Sequence, residues 1–130
     1  MSAPTLVEFL TARLDEEEGW AKAARGWQTG SRHEGQPLDW SIHMDRWSPD
    51  RVLADVAAKR RIVERAAAHR KRSRRASKEY SRWVEGRPVP EPGTPSFASD
   101  PDVQRALDDV LRALASVYAD HPDFDATWAP

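Results

Sequence analysis

A chain of 130 residues with 20 Lys and Arg, 21 Asp and Glu and a formal net charge of -1 has the length of one domain. It contains no cysteine, which excludes disulfides, thiolate metal sites and thiol catalysis and gives no reason to place it in an oxidising compartment. Leu, Ile, Val and Phe supply only about 17% of the residues, so any core must be small and padded with Ala and Trp.

The N-terminal run MSAPTLVEFLTARLDEEE lacks a basic start and turns acidic before any long apolar stretch. It reads as neither a signal peptide nor a membrane span, and a cytoplasmic location is expected. Thr5 and Glu8 form a capping-box pair, so a first helix is predicted from there. Leu6, Phe9, Leu10 and Leu14 give it an apolar stripe, Asp15 to Glu18 are expected to face water, and Gly26 marks its end. Residues 28–38 carry two Gly and one Pro without periodicity and read as a loop, or a poor hairpin between Trp27 and Trp40. Asp39 is a cap for a short turn through Trp40, Ile42, His43 and Trp47.

A stronger start follows at Ser48, Pro49 and Asp50, which supply an N-cap, a proline at the first helical position and a carboxylate at the positive end of the dipole. Leu53, Val56, Val63 and Ala67 mark the core face of a long helix, with Arg60 laying its methylenes across it. After Ala68 the stripe disappears until Ala76, Tyr80 and Trp83. Such a helix is long for a compact domain and must project, pair with another subunit or break, and a break is expected over Ser73–Ser77. Residues 86–99 hold four Pro and two Gly and read as an extended linker. Asp100 and Pro101 then open a third helix with a stripe of Val103, Leu107, Val110, Leu114 and Val117, which Pro122 stops. Phe124 and Trp128, four apart in the tail, predict one turn folded back.

Charge follows these boundaries. Residues 1–50 sum to about -4, 51–85 to about +8 and 86–130 to about -5. The stretch KRRIVERAAAHRKRSRRASKEYSRW at 59–83 alone carries eleven Lys and Arg against two Glu.

Three blocks resemble a known family: LVEFLTARLDEEEGWAKAA at 6–24, IHMDRWSPDRVLADVAAKRRIV at 42–63 and VLRALASVYADHPDFDATWAP at 110–130. The family comprises small uncharacterised proteins of Streptomyces and related actinobacteria and some of their phages, grouped as a domain of unknown function, and YADHPDFDATW is the most specific part. The resemblance implies a small, mostly helical, cytoplasmic protein and brings no reaction or partner with it. The chain departs from the pattern at Trp47, where a second His is expected, and over 64–105, a longer and more basic middle.

Metal ligation by His43, Asp45, Asp120, His121 and Asp123 lacks any HxxxH or HExxH spacing, so no metal or cofactor is expected and Asp120 and His121 read as capping the last helix and bonding the tail. No nucleophile elbow or phosphate loop occurs and DEEE at 15–18 reads as a solvated face, so no catalytic residue is assigned. RRAS at 74–77 matches a basic-directed kinase site, a weak signal in an Arg-rich run. Trp20 with Trp27, and Trp40 with Trp47, are spaced seven apart and are expected to fill the core. Only the basic stretch points outward. Arg70, Lys71, Arg72, Arg74, Arg75, Lys78 and Arg82 suit a phosphate backbone, with Tyr80 or Trp83 stacking on a base and no sequence discrimination. The competing readings are a plain solvated helix and pairing with acidic segments of this chain or a second copy.

The expected fold is all-α, a small three-helix bundle in a single domain 1–130. It has helices near 5–26, 49–85 and 100–120, one of them long and basic, a Pro-rich linker over 86–99 and a short C-terminal turn. The expected function is a non-enzymatic accessory binding protein with a sequence-tolerant nucleic-acid contact through 69–83. The alternative is protein–protein interaction or homo-oligomerisation through complementary acidic and basic segments. The partner is thus nucleic acid, an acidic protein surface or a second copy, and not a membrane.

Overall fold

Thr5 starts the first helix by reciprocal capping: its backbone N–H donates to Glu8 Oε2 at 2.8 Å, and the Glu8 N–H donates to Thr5 Oγ1 at 3.3 Å. Helix α1 runs Leu6–Trp27. In this computed structural model, residues 2–27, 47–85 and 101–129 are described. The turn expected over 39–47 is described only at Trp47, and the loop or hairpin of 28–40 and the linker 86–99 lie outside these residues. Because the Thr5 cap satisfies donors that the helix itself cannot, Thr5→Ala is expected to cost about 0.5–2 kcal/mol in chemical denaturation.

Helix α2 spans Pro49–Val84, 36 residues, and begins as the sequence predicts. Ser48 Oγ accepts from the Arg51 N–H at 3.4 Å and Pro49 takes the first helical position. The interruption expected over Ser73–Ser77 does not occur. After Pro49 the helix contains neither Pro nor Gly, and the Arg, Lys, Ala and Glu that fill its middle are strong helix formers that need no buried stripe to stay helical.

Helix α3 runs Pro101–Ser116, four residues short of the expected end. Its last turn tightens, with the Tyr118 N–H on the Ala115 carbonyl at 2.9 Å and the Ala119 N–H on the Ser116 carbonyl at 3.3 Å. The tail then folds into a 3-10 turn, Ala126–Trp128, packed on α3. Asp125 caps that turn by accepting from the Thr127 N–H at 2.9 Å, and the Phe124 and Trp128 rings meet edge to face at 5.7 Å. Three helices, and no strand among the described residues, make an all-α small bundle. No helix among those residues is long and apolar enough to cross a membrane.

The chain divides into two compact units, Met1–Ile62 and Val63–Pro130, with the division inside α2. In the first, Phe9, Leu10, Leu14, Ala21 and Val56 are buried. Arg60 ties α2 to α1 through Asp15 at 2.6 Å and Glu18 at 2.7 Å, and Arg25 meets Asp50 at 3.1 Å, so the two segments run antiparallel. Asp15 and Glu18 therefore do more than face water. They hold the Arg60 head while its stem stays half-buried, as its place on the core face requires.

In the second unit Val63, Ala66, Leu111 and Ala115 are buried. The stripe expected on α3 is only one edge of its buried face: Leu107 and Leu114 are half-buried, whereas Val103, Val110 and Val117 are exposed. The face turns away from the valines because Gln104 and Asp108 share it, held by polar groups of α2. A strict seven-residue repeat also drifts about 20° per heptad around a straight helix.

Of the four tryptophans expected in the core, Trp40 and the Trp27 side chain lie outside the described residues, and the other two differ from expectation. Trp20 and Trp47 are 68% and 65% exposed and line a cleft of about 700 Å³ in the first unit with Glu17, Val52 and Asp55. Trp20 stands on the flank of α1, and Leu14 and Ala21 fill the interior in its place.

Candidate nucleic-acid interface

The seven cations singled out in the sequence all lie on the α2 segment of the second unit, and they divide into two kinds. Arg70 is turned inward. Its Nη2 donates to Asp108 Oδ1 of α3 at 2.6 Å, and the same oxygen accepts from Gln104 Nε2 at 3.0 Å. Gln104 Oε1 in turn lies 3.1 Å from His69 Nδ1. These four side chains join α2 to α3 by a polar network, so Arg70 serves the fold.

Lys71, Arg72, Arg74, Arg75, Lys78 and Arg82 are exposed, and none makes an ion pair with another described residue. At 100° per residue, Lys71, Arg75, Lys78 and Arg82 fall within about 60° of one another, on the side of α2 opposite Ser73, Ala76, Tyr80 and Val84. Those four are half-buried. The four cations thus form one line about 16 Å long, a length over which one strand of B-DNA presents about five phosphates. Arg72 and Arg74 flank the line on either side. Continuity of the helix is what aligns them, since an interruption at Ser73–Ser77 would rotate Lys78 and Arg82 away from Lys71.

Aromatic groups accompany the line at its C-terminal end. The Tyr80 and Trp83 rings stack on each other at 6.3 Å with 28° between their planes, Tyr80 half-buried and Trp83 exposed.

His121 accepts from the Asp123 N–H at 3.1 Å through Nδ1, and its carbonyl accepts from the Phe124 N–H at 2.9 Å, so it organises the tail. His43 and Asp45 lie outside the described residues. Among the described residues no three His, Asp or Glu side chains converge to hold a metal ion.

Sequence reasoning missed Arg13. It is buried, at 7% exposure, with its guanidinium carbon 5.4 Å from the Phe9 ring centroid. Its Nη2 meets Glu16 at 3.1 Å, while Nε and Nη1 have no hydrogen-bond partner among the described residues. The only signal in the sequence is the i, i+4 spacing of Phe9 and Arg13.

Three carboxyls titrate below their ordinary range. Glu8 is held down by the Thr5 backbone N–H, Glu18 by Lys22 and then Arg60, and Asp125 by the Thr127 backbone N–H. A folded-state pKa below the unfolded one contributes stability above the unfolded value, and that contribution is lost as pH falls through the folded value. Arg60 is shifted the opposite way, upward, chiefly by its bond to Asp15, and loses its contribution only at strongly alkaline pH. The melting temperature is therefore expected to hold near neutrality and to fall once pH drops below about 4.5. Thermal melts between pH 7 and pH 3 measure this.

Fold and site together define a small all-α protein whose long second helix presents an exposed basic face with no ion pair among the described residues. The chain belongs to a family of unknown function, DUF6221, which it matches over residues 3–130. No curated protein and no solved structure matches it.

Proposed function

We propose that the protein is a non-enzymatic accessory binding protein that contacts nucleic acid through the exposed basic face of α2, without reading sequence. The observation that carries this is the alignment of Lys71, Arg75, Lys78 and Arg82 on the solvent side of one helix, each without an ion pair among the described residues. Cations whose task is to stabilise the fold are found paired, as Arg60 and Arg70 are. Phosphate contacts from such a line fix a backbone and carry no base information. Trp83 adds a sequence-tolerant stacking surface.

A quadruple variant, Lys71→Gln, Arg75→Gln, Lys78→Gln and Arg82→Gln, tests the reading. It is expected to keep the helical circular dichroism of the parent, because an exposed face contributes little to stability, and to lose binding to a labelled oligonucleotide. The second reading, association with acidic surfaces of another copy, draws on Arg70–Asp108, which shows α3 supplying a carboxylate to α2. Under that reading the parent is a dimer by light scattering, the variant is a monomer, and neither binds DNA or RNA.

A further inference from the structure

Sharing Lys78 with the outward line of cations, a shallow open cleft of about 350 Å³ lies on the flank of α2 in the second unit, lined by Arg70, Ser73, Arg74, Ser77 and Lys78 and, from α3, by Gln104. Every lining side chain is a hydrogen-bond donor, and three carry positive charge. The spacing explains the arrangement. Arg70, Arg74 and Lys78 recur every four residues, Ser73 and Ser77 do the same one position earlier, and both rows lie on the flank of α2 next to Gln104.

Asp108, the carboxylate bonded to this wall, is already occupied, because one of its oxygens takes both the Arg70 guanidinium and the Gln104 amide. It holds these two lining groups in place and neutralises one of the three charges. Arg74, Ser77 and Lys78 make no side-chain hydrogen bond or ion pair with another described residue. The cleft therefore presents two free cations and a hydroxyl on a wall whose orientation is fixed from behind.

We infer that this cleft is a seat for a single phosphate group, with Arg74 and Lys78 supplying charge, Ser77 a hydroxyl donor, and the Arg70–Asp108–Gln104 network fixing the wall. A tetrahedral oxyanion suits it because several acceptor oxygens meet several donors at once, and guanidinium binds such oxygens through paired N–H groups. A chloride ion or a planar carboxylate satisfies fewer of them. The phosphate comes either from a nucleic-acid backbone or from a free phosphorylated small molecule, and the cleft rests on the reading of the α2 face only for the first source.

Amide chemical shifts of the full-length protein, followed by NMR during titration with inorganic phosphate at constant ionic strength, test the seat. Saturable shifts are expected at Ser73, Arg74, Ser77 and Lys78 and at the Gln104 side-chain amide, with affinity at least about tenfold weaker in the double variant Arg74→Gln, Ser77→Ala. Shifts that grow linearly without saturating, or that are the same in the double variant, overturn the proposal. Adding oligothymidylate then distinguishes the sources. Displacement of phosphate assigns the seat to a backbone phosphate, whereas saturable phosphate binding that the oligonucleotide leaves untouched assigns it to a free phosphorylated molecule. The triple variant Lys71→Gln, Arg75→Gln, Arg82→Gln separates the two proposals: it should still bind phosphate in the cleft even if all oligonucleotide binding is lost.

Discussion

Replacing Phe9 by Ala is expected to lower the unfolding free energy by about 3–5 kcal/mol, the range for deleting a fully buried aromatic. Phe9 is 2% exposed on the inner face of α1, in a chain whose apolar residues are too few to refill the space. The loss has a second component. The Phe9 ring lies against the buried Arg13 guanidinium, whose Nε and Nη1 have no hydrogen-bond partner among the described residues, so removing the ring takes away a favourable cation–ring contact. Since domains of this size are stable by only about 5–15 kcal/mol, the loss removes a large fraction of the total stability. Thr11→Ala, one exposed position away from the same face, serves as the control and should stay within about 0.5 kcal/mol. A Phe9→Ala protein that unfolds at the same denaturant concentration as the control would show that the interior of the first unit does not depend on this ring.

Deleting residues 121–130 is expected to cost about 2–4 kcal/mol, less than two fully buried rings because Phe124 and Trp128 are half-buried. The tail is nonetheless a built element. His121 and Asp125 both bond it to itself, the two rings pack edge to face, and the 3-10 turn rests on α3. In a protein of 130 residues such a loss lowers the melting temperature by about 10 °C. A truncated protein that melts with the parent would mean that the tail only decorates α3.

Three starts were legible in the sequence because capping chemistry is local. Thr5 with Glu8, Ser48 with Pro49, and Pro101 each act within one turn, and each helix begins within one residue of expectation. The end of α3 was not legible, since its last turn tightens through backbone bonds that no particular residue type announces. The unbroken middle of α2 was not legible either: a helix this long exceeds a compact domain, which makes a break at Ser73–Ser77 one option beside projection or pairing with another subunit, yet continuity of a helix depends on backbone propensity, and nothing between Asp50 and Val84 disfavours it.

Packing was the least legible level. Val103, Val110 and Val117 looked like core because they are apolar, but Gln104 and Asp108 claimed the inner face by bonding His69 and Arg70 on a helix 35 or more residues away in sequence. The spacing of seven points Trp20 and Trp47 inward, yet both are exposed, and the spacing of Arg13 from Phe9 gives no sign that Arg13 is buried. At the candidate site the sequence shows a run of seven cations but not their division into Arg70, bonded to Asp108 of α3, and six exposed residues without an ion pair among the described residues, because that division depends on where α3 lies.

The central claim is that the outward face of α2 holds a phosphate backbone, and the dependence of oligonucleotide affinity on salt measures it most directly. Four phosphate contacts give a slope of log affinity against log salt of about -3 on single strands and about -4 on duplex, with unrelated sequences binding alike. The slope should fall by about one when Arg75 alone is replaced by Gln. Absence of binding at low salt, or a slope that Arg75→Gln leaves unchanged, would contradict the account.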